Sequence, residues 1–145
     1  MYIGAAFSKG LPGTGLKFPL AIIEEGKRDV EKIRTLLAVN ADDNSLTFAG
    51  NVEEGETVRL CQTNHDRLVE GAGGAAELVM DGLGENKTNQ TGLALCVSCV
   101  GRKGVMADLV ADEVKQVQQI LGAKTNITGF YSYGELAPRP TARCV

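Results

Sequence analysis

The stretch that most constrains this chain is Leu93-Ala-Leu-Cys-Val-Ser-Cys-Val100, which carries no charge over its whole length. Apolar residues fall at both its odd and its even positions, so neither side of a strand built from it suits water. Such a strand is expected at the centre of a sheet, with a layer over each face. Gly101 ends the run, and Arg102 and Lys103 follow at once. The fold must therefore supply covering layers and must also bring two cations to the end of an inner strand.

The residues that could build those layers are mostly aliphatic. Aromatics make up 5% of the chain, Trp is absent, and there are 18 glycines. The core is expected to come from Val, Leu, Ile and Ala, with close backbone approaches where glycine replaces a side chain. At 145 residues the chain fits one domain, residues 1–145, able to bury roughly two-thirds of its unfolded surface. A net charge of -3, with basic residues scattered among acidic ones, gives no surface designed to neutralise phosphates, so nucleic acid is not an expected partner. No apolar run approaches the ~20 residues of a membrane span, and the first residues lack the pattern of a secretory signal. A cytoplasmic location is expected.

Local patterns divide the chain in two. Residues 1–17 contain turn chemistry and weak periodicity, and read as a loop or an edge. Phe18–Ile23 is a short apolar strand, and Glu24–Lys27 a turn. Alternation from Lys32 to Val39 and again from Ser45 to Ala49, across Asp42-Asp-Asn44, predicts a hairpin; Thr57–Cys61 predicts a further strand. Beyond this meander the period changes. Leu68, Val69, Ala72, Ala75, Ala76, Val79 and Met80 recur at helical spacing after the cap candidates Asn64 and Asp66. Glycines 71, 73 and 74 inside that helix are expected to lie tight against the sheet. Glu85–Thr91 reads as a polar loop. A second helix is marked by Val110, Val114, Val117 and Leu121, with Gly122 in the C′ position. Ile127–Tyr133 closes the pattern as a strand. The expected class is α+β: a mainly antiparallel sheet, formed by a β-meander followed by helix, strand, helix and strand, with two helices packed on it.

Of the four cysteines, Cys96 and Cys99 form a C-x-x-C spacing, but within a strand positions i and i+3 point to opposite faces, so a shared metal or a disulfide is disfavoured. The reading is of free thiols buried in the core of a protein in a reducing compartment, without metal or cofactor. His65 is the single histidine, and its place between a strand and a helix fits capping better than catalysis. An enzyme using Cys99 as nucleophile and His65 as base is the less favoured alternative. The sequons at Asn86, Asn89 and Asn126 matter only in a secreted protein. The glycine-rich stretches at 10–15 and 71–76 lack the strand-to-helix context of a phosphate loop.

More informative is the pair Ser98-Cys-Val-Gly-Arg-Lys103 and Gly129-Phe-Tyr-Ser-Tyr-Gly-Glu135. Arg102 and Lys103 are poised to meet an anionic group. Tyr131 and Tyr133 share one face of the second strand, and Gly134 frees the backbone beside Glu135. Two phenols, two cations and a carboxylate suit a zwitterion such as an amino acid. The alternative is structural: tyrosine hydroxyls at the surface and Arg102 paired with Glu135.

These segments resemble the C-terminal half of the FIST domain, and FPLAI, IRTLLAVNADDNSLTFAG and EGETVRL are similar to that family in the same order, from about Phe18 to Pro138. The resemblance implies a sensory domain of intracellular signal transduction, not an enzyme, that binds a small molecule such as an amino acid and passes the signal to an output domain or partner protein. It supplies no catalytic residue. The motif positions to which it points are Ser98, Cys99, Gly101, Arg102, Tyr131, Tyr133, Gly134 and Glu135, and the adjacent Lys103 joins them as a ligand-binding candidate. A scaffold that docks proteins and binds no metabolite is the second reading. The family's N-terminal half and a final C-terminal strand are missing, so the chain reads as a fragment, which an exposed sheet edge or apolar patch is expected to make homodimerise.

Overall fold

The computed structural model describes residues 4–23, 31–84 and 92–135. The predicted turn at 24–27, the loop at 85–91 and the prolines at 138 and 140 fall outside them. The chain is α+β, and it divides into two compact units, one running to Thr63 and the other beginning at Asn64.

In the first unit, α1 (Gly4–Ser8) and a 3-10 turn (Gly13–Lys17) precede five strands. These are β1 (Leu20–Ile23), β2 (Glu31–Arg34), β3 (Leu36–Asn40), β4 (Ser45–Phe48) and β5 (Thr57–Leu60). The opening segment is thus ordered where a loop was expected. Thr14 Oγ1 donates to the Phe7 carbonyl at 2.5 Å, and the Phe7 and Phe18 rings meet edge-on at 5.0 Å. β1 is the middle of an antiparallel sheet in the order β2-β1-β5, and its Ala21 and Ile22 are the best buried residues of the unit.

β3 and β4 form the expected hairpin. Its turn has Asn44 at φ 57°, a conformation that Asn tolerates better than most residues, and the Asp43 carboxylate accepts from Ser45 N–H at 3.0 Å. The hydrogen bonds from Ser45 hold the Asp43 carboxyl below its ordinary pKa. The single strand expected over 32–39 is instead split at Thr35. The residues before it pair with β1 and those after it with β4, and a register shift between Leu36 and Ala38 accompanies the change of partner. Leu36 is buried against Gly15, where a Cβ would stand 2.6 Å from Leu36 Cδ2. Glycine is required there by the close approach.

The second unit contains α2 (His65–Gly82), β6 (Leu93–Cys99), α3 (Val100–Met106), α4 (Val110–Leu121) and β7 (Asn126–Ser132). Asn64 caps α2, its Oδ1 accepting from Asp66 N–H at 2.8 Å and Arg67 N–H at 3.3 Å. α4 ends as the sequence predicts, with Gly122 at φ 89°. Gln118 Nε2 donates to the carbonyls of Gly122 and Thr125, and Thr125 Oγ1 to that of Leu121, so the helix end is well satisfied. Gly73 is buried, but against a helix: Gln116 Cγ and Ile120 Cδ1 of α4 lie where its Cβ would press. The expected glycine-to-sheet contact is therefore a helix-to-helix one, because α2 and α4 pack chiefly on each other.

β6 and β7 pair in parallel from Leu93↔Asn126 to Cys99↔Ser132. Contrary to expectation, β6 is not covered on both faces. Ala94, Cys96 and Ser98 are partly shielded, whereas Leu93 is 75% exposed, Leu95 65% and, beside them on β7, Phe130 59%. With the helices occupied by each other, the second face of this two-stranded pair has no layer over it from the described residues of this unit.

Candidate functional site

The C-terminal ends of β6 and β7 gather the polar residues that the sequence singled out. Because the strands run in parallel, Ser98 and Tyr131 are register partners and share a face, as do Cys99 and Ser132. In open sheets built from parallel strands, ligands bind beyond the carboxyl ends. Gly129 makes the pairing close: a Cβ there would fall on the Cys96 carbonyl oxygen.

Past Cys99 the chain turns directly into α3. Cys99 is its N-cap residue, and the sulfur accepts from Gly101 N–H at 3.4 Å. α3 then directs its two cations to different ends. Arg102 turns towards the helices: Nε donates to Glu113 Oε1 of α4 at 2.7 Å, Nη2 donates to the same oxygen, and Nη2 also reaches the Leu68 carbonyl of α2 at 2.5 Å. Glu113 is the one buried charged residue among those described. Arg102 thus ties three helices together, and the sequence-based alternative of an Arg102–Glu135 pair does not form. Glu113 was not legible as its partner, since the eleven-residue separation crosses from one helix to the next.

Lys103 goes the other way. Its Nζ stands 5.2 Å from the centre of the Tyr131 ring, a cation–π distance, and it has no carboxylate partner among the described residues. The Ser98 and Tyr131 hydroxyls make no hydrogen bond to another described residue either. Tyr133 and Glu135 lie beyond the strand in solvent, Tyr133 being 94% exposed. Ser132, next to Tyr131, is spoken for: its hydroxyl donates to the Gly134 carbonyl at 2.9 Å and accepts from Gly134 N–H at 3.2 Å. The structure therefore brings Ser98, Lys103 and Tyr131 together, assigns Arg102 and Cys99 to local contacts, and leaves Tyr133 and Glu135 outside the cluster.

His65 lies elsewhere in this unit, at the start of α2. Nδ1 is 3.3 Å from Asp66 Oδ1, and Nε2 is buried, 3.5 Å from Asp112 Oδ2 and without a hydrogen bond. Asp112 in turn accepts from Lys115 Nζ at 2.9 Å, and that hydrogen bond, ahead of the charges of Lys115 and His65, holds its carboxyl below the ordinary value. The histidine is engaged with carboxylates and the Cys99 sulfur with a backbone amide, so the two are not paired as base and nucleophile. Among the described residues, no group of three or more His, Cys, Asp or Glu is arranged to hold a metal ion.

An ammonium and two hydroxyls without hydrogen-bond partners among the described residues thus stand at the end of the parallel strand pair. The chain belongs to the FIST C domain family, whose model matches residues 2–138. That family is a signal-transduction sensory domain, non-catalytic in general. No curated protein and no solved structure matches the chain. Among the described residues, no helix is long and apolar enough to cross a membrane.

Proposed function

We propose that this chain is the ligand-sensing part of an intracellular signalling protein, and that a small molecule such as an amino acid binds at the C-terminal ends of β6 and β7. The observation that carries the reading is the cluster of Ser98, Lys103 and Tyr131, whose polar groups have no hydrogen-bond partner among the described residues, while the neighbouring Arg102 and Ser132 are engaged. The single family match running across both units supports treating the chain as one domain. Tyr133 and Glu135 stand just beyond the cluster, and Arg102 is directed away from it, towards Glu113 and the Leu68 carbonyl. A thermal-shift screen against amino acids and related metabolites tests the reading. A ligand present at a hundred times its Kd stabilises by about 2.7 kcal/mol, and an absence of any shift across the panel counts against sensing.

A second reading has its own observation. The bare apolar face of Leu93, Leu95, Val97 and Phe130 favours a protein-docking role, with or without a metabolite. Pull-down of a stable partner that is indifferent to Lys103→Met but lost on Leu95→Asp supports it. Cysteine chemistry at Cys99 has least support, and alkylation no faster than that of a free thiol removes it.

A further inference from the structure

The two neighbouring cations of α3 divide their labour, and the division says what kind of group the ligand carries. Resting on the ligand-sensing reading, we infer that the ligand is held through an anionic group, a carboxylate or a phosphate, and that Lys103 captures it while Arg102 does not.

Arg102 commits two of its three nitrogens inward. Both Nε and Nη2 are directed at Glu113, and Nη2 also at the Leu68 carbonyl. Turning it outward would strand the buried Glu113 carboxylate without its counter-charge, which is strongly unfavourable. Lys103 is one residue on, exposed, and bound to nothing stronger than the face of Tyr131. An ammonium over a ring retains its three donors, and they are available to an anion.

The two strands offer donors to an anion and no counter-charge to a cation. Ser98 lies beside Tyr131 on the same face of the sheet, and the Lys103 ammonium lies over the Tyr131 ring, so this strand end carries three groups that can donate. Neither β6 nor β7 carries a carboxylate. The nearest acidic residue along the chain is Glu135, which is exposed and lies beyond the end of β7. A cationic ligand would find no counter-charge on the strands. A neutral one would have to displace water from the ammonium without replacing its charge interaction. A tetrahedral or planar anion satisfies all three groups at once through charge-assisted hydrogen bonds.

The test is a titration of the full chain followed by amide NMR, with acetate, inorganic phosphate and L-glutamate as probes and glycinamide as the carboxylate-free control. The expected result is saturable shifts centred on Ser98, Lys103 and Tyr131 with at least one anion, and none with glycinamide. Lys103→Met weakens that binding by roughly ten- to a hundredfold, the loss of one charge-assisted contact, while Lys103→Arg restores most of it. Arg102→Lys, which keeps a charge facing Glu113, leaves it within about threefold, well short of the loss of one such contact. Saturable binding that survives Lys103→Met overturns the inference. Binding of glycinamide, or of a neutral metabolite, at these residues, with no response to the anions, overturns it too but leaves the sensing reading intact. No saturable response to any of the probes, together with no shift in the metabolite screen, removes both.

Discussion

The seam between α2 and α4 and the end of the β6–β7 pair belong to the same unit and are built on opposite terms. In the seam the charged groups answer one another: Glu113 has Arg102, the Leu68 carbonyl has the same guanidinium, and Asp112 has Lys115, with the buried His65 Nε2 the exception. At the strand ends an ammonium and two hydroxyls have no such answer among the described residues, and a whole apolar face is open. Saturation is what stabilises a fold, and unsatisfied groups at a sheet's edge are what bind. The difference teaches that stability and recognition have been separated within a few residues of sequence, most sharply between Arg102 and Lys103.

Mutations can break that separation if it is wrong. The largest effect is expected from Arg102→Met, which leaves the Glu113 carboxylate buried and uncompensated and costs about 3 kcal/mol. Urea unfolding followed by circular dichroism measures it, fluorescence being less convenient in a chain without Trp. Gly129→Ala comes next: its new methyl group collides with the Cys96 carbonyl, so the ladder must shift, at about 2 kcal/mol. The shift also displaces Ser98 from Tyr131, and this variant alone is expected to damage both stability and ligand response. Asn64→Ala removes the cap of α2 and costs about 1 kcal/mol, with no effect on the ligand.

The smallest effect is one of pH. Because the folded Asp112 carboxyl is held below its ordinary value, chiefly by the hydrogen bond from Lys115, its contribution is complete above the ordinary carboxylate range and is lost as pH falls through the lowered value. Lys115→Met moves the Asp112 titration midpoint upwards, which side-chain carboxyl NMR reads directly. The ligand site has no part in that change, so an altered anion response in Lys115→Met would blur the contrast between seam and strand end.

What the sequence made legible was local. Asn64 as a cap, Gly122 as a helix stop and Asp42-Asp-Asn44 as a hairpin turn each rest on contacts within a few residues, and each stands where it was expected. Partnerships between distant segments were not legible. The strand over 32–39 is divided because its two halves pair with different strands, a choice that no alternation pattern records. Gly73 announced a close approach without saying that the neighbour is α4. The uncharged run of 93–100 carried the signature of a doubly covered strand, yet one of its faces is open, since periodicity states what a strand could bury and not what is there to cover it. At the candidate site, the nearness of SCVGRK to the GFYSYGE strand followed from parallel pairing. The opposite fates of Arg102 and Lys103 did not, because they depend on Glu113 lying across from one and Tyr131 under the other.

The most direct measurement of the account sets Arg102→Met beside Lys103→Met, each assayed for unfolding free energy and for binding of the most strongly bound anion. The account predicts a crossed pattern. Arg102→Met loses about 3 kcal/mol, whereas Lys103→Met stays within about 0.5 kcal/mol of the parent and loses the anion. Equal destabilisation by the two substitutions, or anion binding untouched in Lys103→Met, would contradict it.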